Sequence, residues 1–115
     1  GKEAVNGHYF SNHYASDSTD PVVQDFIKKY KQLYGGKTPD AMAALGYDAA
    51  KIIAASLEAA PEMTSAALKT QLTKVAQYPG VTGKITINGE RNASKSAVVV
   101  QVEGNNRKYV TTVNP

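Results

Sequence analysis

Residues 22–60 read VVQDFIKKYKQLYGGKTPDAMAALGYDAAKIIAASLEAA, two helices with a glycine stop between them. Val23, Phe26, Ile27, Tyr30, Leu33 and Tyr34 recur at i, i+3, i+4 and i+7, the spacing of one helical face. Lys28, Lys29, Lys31 and Gln32 take the other face. This pattern predicts a first helix over 21–34. Thr19 or Asp20 can cap it, and Pro21 suits its first position, where a missing N–H costs nothing. Gly35-Gly36 ends it, because glycine accepts the left-handed conformation that closes a helix. Thr38-Pro39-Asp40 opens a second helix over 40–60, with Met42, Leu45, Ala49, Ile52, Ile53, Ser56 and Leu57 as its stripe. Its alanines favour close approach to a neighbour. Gly46 costs about 1 kcal/mol against alanine, which suggests close packing or a break in the first turn. Pro61 stops the helix.

Outward from this pair the chain turns to strands. Residues 7–13 (GHYFSNH) follow the turn dipeptide Asn6-Gly7 and read as a short aromatic strand. Residues 15–20 (ASDSTD) are a polar linker without periodicity. Downstream, Thr64 or Ser65 caps a third helix expected to run to Gln77, with Leu68, Leu72, Val75 and Ala76 on its apolar face and Pro79-Gly80 as its terminator. The remainder is β. GKITIN (83–88) alternates, Asn88-Gly89 is a turn signal, AVVVQV (97–102) is apolar enough for burial on both faces, and KYVTTV (108–113) returns after the Glu103–Asn106 turn.

The 115 residues amount to about one domain. Mean hydropathy is −0.37, and no apolar run approaches the roughly 20 residues that span a bilayer. The net charge of +3 comes from lysines mostly spread singly along the chain, and the densest group, Lys28, Lys29 and Lys31, reads as a solvated helix face, so no nucleic-acid partner is expected. The absence of cysteine excludes disulfide scaffolds, cysteine zinc sites and thiol catalysis together.

Little in the sequence carries reaction chemistry. His8 and His13 lie five apart, on opposite faces of an extended chain, with no carboxylate cluster nearby, so no metal is expected. Gly35-Gly36-Lys37-Thr38 lacks the first spaced glycine of a phosphate loop and follows a helix where that loop follows a strand. Ser11, Ser16 and Ser18 near His13 lack an orienting acid. Asp48 and Glu58 have no partner carboxylate in the helical pattern. Neither enzymatic activity nor a cofactor is expected. Among the seven tyrosines, Tyr47 stands out, because it follows Gly46 near a helix start that a ligand could approach.

Four segments in order carry a resemblance: AVNGHYFSNHYASDSTDP, the 22–60 stretch above, LKTQLTKVAQYPGVTGKITINGERN and SAVVVQVEGNNRKYVTTVNP. The FxxxYKxxYG helix, the ALGYDAAK helix start and the GVTGKITIN…RN…KSAVVV ending are its most specific pieces. Together they closely resemble the C-terminal third of branched-chain amino-acid-type periplasmic binding proteins, the two-lobed type I solute receptors of ABC importers.

The resemblance implies an α/β fold in which 1–115 is a single unit from the C-terminal portion of a two-lobed domain. It has three helices, one short N-terminal strand and a C-terminal antiparallel meander, and its parallel sheet is incomplete. Residues 13–20 would be a hinge-like crossover, 21–78 the helical part and 83–113 the meander. It further implies a small amino-acid ligand held by hinge closure, an ABC permease as partner, and a periplasmic or extracellular location with a lipoprotein tether in the full-length form. Ala44 and Tyr47 would line the side-chain pocket. Most contacts to the ligand's ammonium and carboxylate would lie outside these residues, so this piece alone is expected to be binding-incompetent. Its uncovered helix stripe needs a sheet to pack on. That predicts either a packed or domain-swapped homodimer or helices folded on the chain's own C-terminal hairpin. The alternatives are a self-contained oligomeric α/β interaction module and an extracellular sensory domain of the same fold.

Overall fold

A computed structural model describes residues 3–115. Strand β1 (Tyr9–Asn12) is followed by helices α1 (Pro21–Leu33), α2 (Ala41–Glu58) and α3 (Ser65–Leu72). Strands β2 (Tyr78–Gly80), β3 (Gly83–Ile87), β4 (Ala93–Ser94), β5 (Ala97–Glu103) and β6 (Asn106–Val113) complete the chain.

Each helix begins where a short polar side chain can satisfy a free backbone N–H. Asp20 accepts from Val22 N–H at 2.8 Å, Asp40 from Ala43 N–H at 2.8 Å, and Thr64 from Ala67 N–H at 3.2 Å. Past the end of α1, Gly35 and Gly36 adopt φ of 61° and 81°, and Gly36 N–H bonds back to the Lys31 carbonyl at 2.8 Å.

The burial of α1 follows its first two turns. Val23, Phe26 and Ile27 are buried, while Leu33 and Tyr34 at its far end are 78% and 54% exposed. In α2 the inward stripe is Ala44, Asp48, Ile52 and Ser56, a strict i+4 row. Of the stripe expected from hydropathy, Ile52 and Ser56 are buried, whereas Met42 and Ile53 face solvent. An alanine-rich helix offers little contrast between faces, so its rotation is set by the neighbour it meets. Gly46 lies inside an unbroken helix, and a Cβ there would meet nothing within 4 Å. Neither close packing nor a break accounts for it.

The third helix ends at Leu72 rather than Gln77. Lys74 and Val75 N–H bond only to the Gln71 and Leu72 carbonyls, and the Val75 carbonyl accepts instead from Ile87 N–H at 3.0 Å. Gln77 takes a positive φ of 52° and its N–H donates to Thr86 Oγ1 at 3.0 Å. Tertiary pairing thus captures the chain before the helical pattern runs out. Tyr78–Gly80 becomes a strand, with Pro79 at the sheet edge, where its missing donor is tolerated.

The antiparallel strands expected after Gly83 are present and are shared between two sheets. One has the order β2-β3-β4, the other β1-β5-β6. The β5–β6 hairpin turns at Gly104 (φ 63°), and its pairing shifts by one residue between Val99 and Val100, leaving Val110 without a partner across. The helical core of Tyr14, Val23, Phe26, Ile27, Ala44 and Val81 contains no residue of β1, β5 or β6. The molecule is therefore two bodies: the helices with β2-β3-β4, and the β1-β5-β6 sheet. The chain passes between them at residues 13–20 and at Lys95-Ser96. The radius of gyration is 16.3 Å, where a compact chain of this length would have about 13 Å. Every residue of β6 is exposed.

Candidate functional site

Two clefts flank the crossover at 13–20. The first, of about 350 Å³, lies between the sheet body (Phe10, Val100, Arg107) and the loop leading into α2 (Thr38, Asp40, Ala41). The second, of about 290 Å³, lies on the other side and is walled by His13, Ser18, Thr82, Ser96 and Tyr109.

Tyr14 sits at the start of the crossover, 4% exposed, and its hydroxyl donates to the Pro39 carbonyl. Burial raises the pKa of this phenol, with the Asp40 carboxylate and Tyr30 adding to the rise and the Arg107 guanidinium opposing it. The crossover is tied to both bodies. Tyr14 belongs to the helical core, and the Asp17 carboxylate accepts from Tyr109 N–H, next to the unpaired Val110, at 2.9 Å.

Behind the second cleft lies Asp48, which sequence reading left without a partner. It is 2% exposed. Its carboxylate accepts from Val81 N–H, Thr82 N–H and the Thr82 hydroxyl, each at 2.8 Å. Three donors on one buried carboxylate fasten the β2–β3 turn to the middle of α2. The signal was its phase: Asp48 lies four residues from Ala44 and four from Ile52, so a helix burying those two must bury it too. Gly80 leaves the room this needs, because a Cβ there would stand 2.7 Å from Asp48 Oδ2 and 2.9 Å from Ile85 Cδ1. Gly80→Ala is accordingly expected to lower stability by about 1–3 kcal/mol, measured as a fall in the urea midpoint. Nearby, partial burial lowers the Lys95 pKa, an effect Asp48 opposes, and its ammonium donates to the Ser96 carbonyl at 2.8 Å.

Of the two residues singled out for the pocket, Ala44 is wholly enclosed in the core. Tyr47 is half-buried and packs against the edge of the same core, its ring centroid 4.9 Å from that of Phe26. It borders a third cavity of about 410 Å³ between α1 and α2, with Phe26, Lys29, Tyr30, Leu33 and Tyr34. The two residues are thus about one helical turn apart on one core, Ala44 at its centre and Tyr47 at its edge. His8 and His13 are both exposed, and among the described residues no three metal-ligating side chains converge. No helix of the described residues is long and apolar enough to cross a membrane.

A family profile described as a periplasmic binding protein matches residues 1–108. The chain belongs to the periplasmic binding protein family. That family is one of solute-binding proteins rather than an enzyme class. Among solved structures, the leucine binding protein LivK from Thermotoga maritima superposes with a TM-score of 0.82 at 33% identity, over 98% of this chain and 32% of that one. A protein of Rhodospirillum rubrum, assigned to branched-chain amino acid ABC transport, gives 0.80 at 32% identity, over 93% of this chain and 31% of its own. The substrate-binding protein of an ABC transporter from Sphaerobacter thermophilus shares the fold, with a TM-score of 0.87 at 21% identity, over 97% of this chain and 32% of that one. No curated protein sequence gives a significant match. The chain spans about a third of the length of these structural relatives. Its helices and antiparallel strands are those of the C-terminal part of a type I periplasmic binding protein.

Proposed function

We propose that this chain is part of the substrate-binding component of an ABC importer for branched-chain amino acids. The observation that carries the reading is the 33% identity to a leucine binding protein along 98% of the chain. In this reading residues 13–20 act as a hinge crossover between lobes, the helical part (21–78) belongs to one lobe with β2-β3-β4, and of the 83–113 strands the β5–β6 pair returns through the hinge. A small zwitterion closes the lobes about the hinge, and the closed form engages the permease, without catalysis. The protein works in the periplasm or outside the cell, held to the membrane by a lipid in its full-length form. Ala44 and Tyr47 shape the side-chain pocket differently. Tyr47 presents a half-buried ring, while Ala44 acts from beneath by letting α2 approach the core. The comparisons lend no support to a homodimer. The family match and the leucine-binding relative favour neither a self-contained oligomeric interaction module nor a sensory domain.

Calorimetry tests the reading. The whole protein containing this chain is expected to bind leucine with micromolar affinity or better, and the 115-residue chain alone to give no binding heat. Whole protein that gives no heat with leucine, isoleucine or valine would overturn the assignment. Micromolar leucine binding by the isolated chain would overturn the claim that the remaining lobe surface is needed.

A further inference from the structure

The sequence contains two Asn-Gly pairs, Asn6-Gly7 and Asn88-Gly89. Such a pair can react with itself, because a glycine without a Cβ leaves its backbone nitrogen open to the preceding side-chain amide. The fold holds the two pairs differently. Gly7 N–H donates to the Val102 carbonyl at 2.8 Å, and Val102 N–H returns to the His8 carbonyl at 2.9 Å. Asn6 Oδ1 accepts from Gly104 N–H at 2.9 Å. The nitrogen that would attack Asn6 is thus engaged in backbone pairing beside the β5–β6 turn.

Asn88-Gly89 lies between β3 and β4, and both residues are exposed. Gly89 N–H has no hydrogen-bond partner among the described residues, and neither has the side-chain NH2 of Asn88. The oxygen of that amide is held instead. Asn88 Oδ1 accepts from Glu90 N–H at 3.0 Å and from Asn92 N–H at 2.9 Å. These donors point at the atom that becomes negative when Cγ is attacked, so they stabilise that charge. The backbone of Asn88 is anchored as well. Its N–H donates to the Asn92 carbonyl and its carbonyl accepts from Arg91 N–H, each at 2.9 Å.

We propose that Asn88 is a self-modification site, deamidated by attack of the Gly89 backbone nitrogen on its side-chain amide. The nitrogen bonds to Cγ, and its proton passes through water to Nδ2. The Cγ–Nδ2 bond breaks and ammonia leaves, which closes a cyclic imide. One water then opens either C–N bond of the imide. Opening on the Cγ side gives aspartate. Opening on the backbone side gives isoaspartate, whose main chain runs through Cγ. The net change is amide plus water to acid plus ammonia, with no oxidant or cofactor. Aspartate keeps an acceptor for the Glu90 and Asn92 N–H groups and adds a negative charge near Glu90. Isoaspartate lengthens the main chain next to the pairing of Ile87 with Ala93.

Peptide mapping by mass spectrometry tests this on the full-length protein, incubated at mildly alkaline pH either folded or in urea. Labelling by an isoaspartyl methyltransferase identifies the isoaspartate. In urea the two pairs are expected to convert at similar rates. Folding should slow Asn6 about tenfold, the factor that opening one backbone hydrogen bond imposes, while Asn88 keeps its rate. Gly89→Ala crowds the attacking nitrogen and is compatible with the turn, because its Cβ would meet nothing within 4 Å and the φ of Gly89 is not left-handed. It should suppress conversion at Asn88 and leave Asn6 unchanged. Asn88 that stays intact in the folded protein, or converts there no faster than Asn6, would overturn the proposal. So would Gly89→Ala protein that converts Asn88 at the parent's rate, because water rather than the Gly89 nitrogen would then be the attacking group.

Discussion

Replacing Asp48 with alanine is expected to lower the stability of the protein by about 3–4 kcal/mol, read as a fall in the urea unfolding midpoint. Its three partners donate at 2.8 Å to a carboxylate that is 2% exposed, and Thr82 itself is equally buried. Removing the acceptor strands two backbone N–H groups in the interior, and each unsatisfied buried donor costs about 1–3 kcal/mol. Thr82→Val separates the contributions, because it removes only the hydroxyl bond and keeps the side-chain volume. It should cost about 1 kcal/mol. An Asp48→Ala variant that unfolds within 1 kcal/mol of the parent would show that the turn does not depend on this carboxylate.

Phe26→Ala is expected to cost about 3–5 kcal/mol. Phe26 is 4% exposed and stands at the centre of the aromatic group, its ring centroid 6.4 Å from Tyr14, 5.9 Å from Tyr30 and 4.9 Å from Tyr47. Truncation leaves a cavity between α1 and α2 and removes the edge-on packing against Tyr14. The chain has no tryptophan, so its near-ultraviolet circular dichroism reports mainly on tyrosines. The variant should lose most of that signal from Tyr14, Tyr30 and Tyr47 at denaturant concentrations where the parent retains it. Retention of both the signal and the unfolding midpoint would mean that α1 and α2 are held together elsewhere.

These two sites differ in how far the sequence exposes them. Phe26 falls on a periodic stripe with Val23 and Ile27, and all three are buried. The starts of the helices are legible for a similar reason. Asp20, Asp40 and Thr64 are short acceptors placed just before periodic runs, and each caps its helix. Such signals are local. The end of α3 is not, because Val75 and Ala76 continue the helical pattern while a hydrogen bond from Ile87, twelve residues on from Val75, decides the backbone. Tyr78–Gly80 is hidden in the same way, since Pro79-Gly80 reads as a stop whether or not a strand passes through it.

The rotation of α2 is the costliest loss of information for the site. Hydropathy favours Met42 and Ile53 as inward residues, and both are exposed. The true inward row passes through Ala44 and Asp48, one small and one charged, and neither registers as apolar weight. Tyr47 was legible as unusual, but its company of Phe26, Tyr30 and Tyr34 depends on how α1 crosses α2. Asp40 and Arg107 lie 67 positions apart in the chain. That both line the first cleft follows from the two crossings between bodies, which no local pattern encodes.

Closure is the central claim, and small-angle scattering of the full-length protein with and without saturating leucine tests it most directly. A receptor whose two bodies rotate about residues 13–20 is expected to show a smaller radius of gyration when leucine is bound, with no change when an amino acid it does not bind is added instead. A radius that stays constant while calorimetry on the same sample reports full leucine occupancy would contradict hinge closure and leave a rigid binding site in its place.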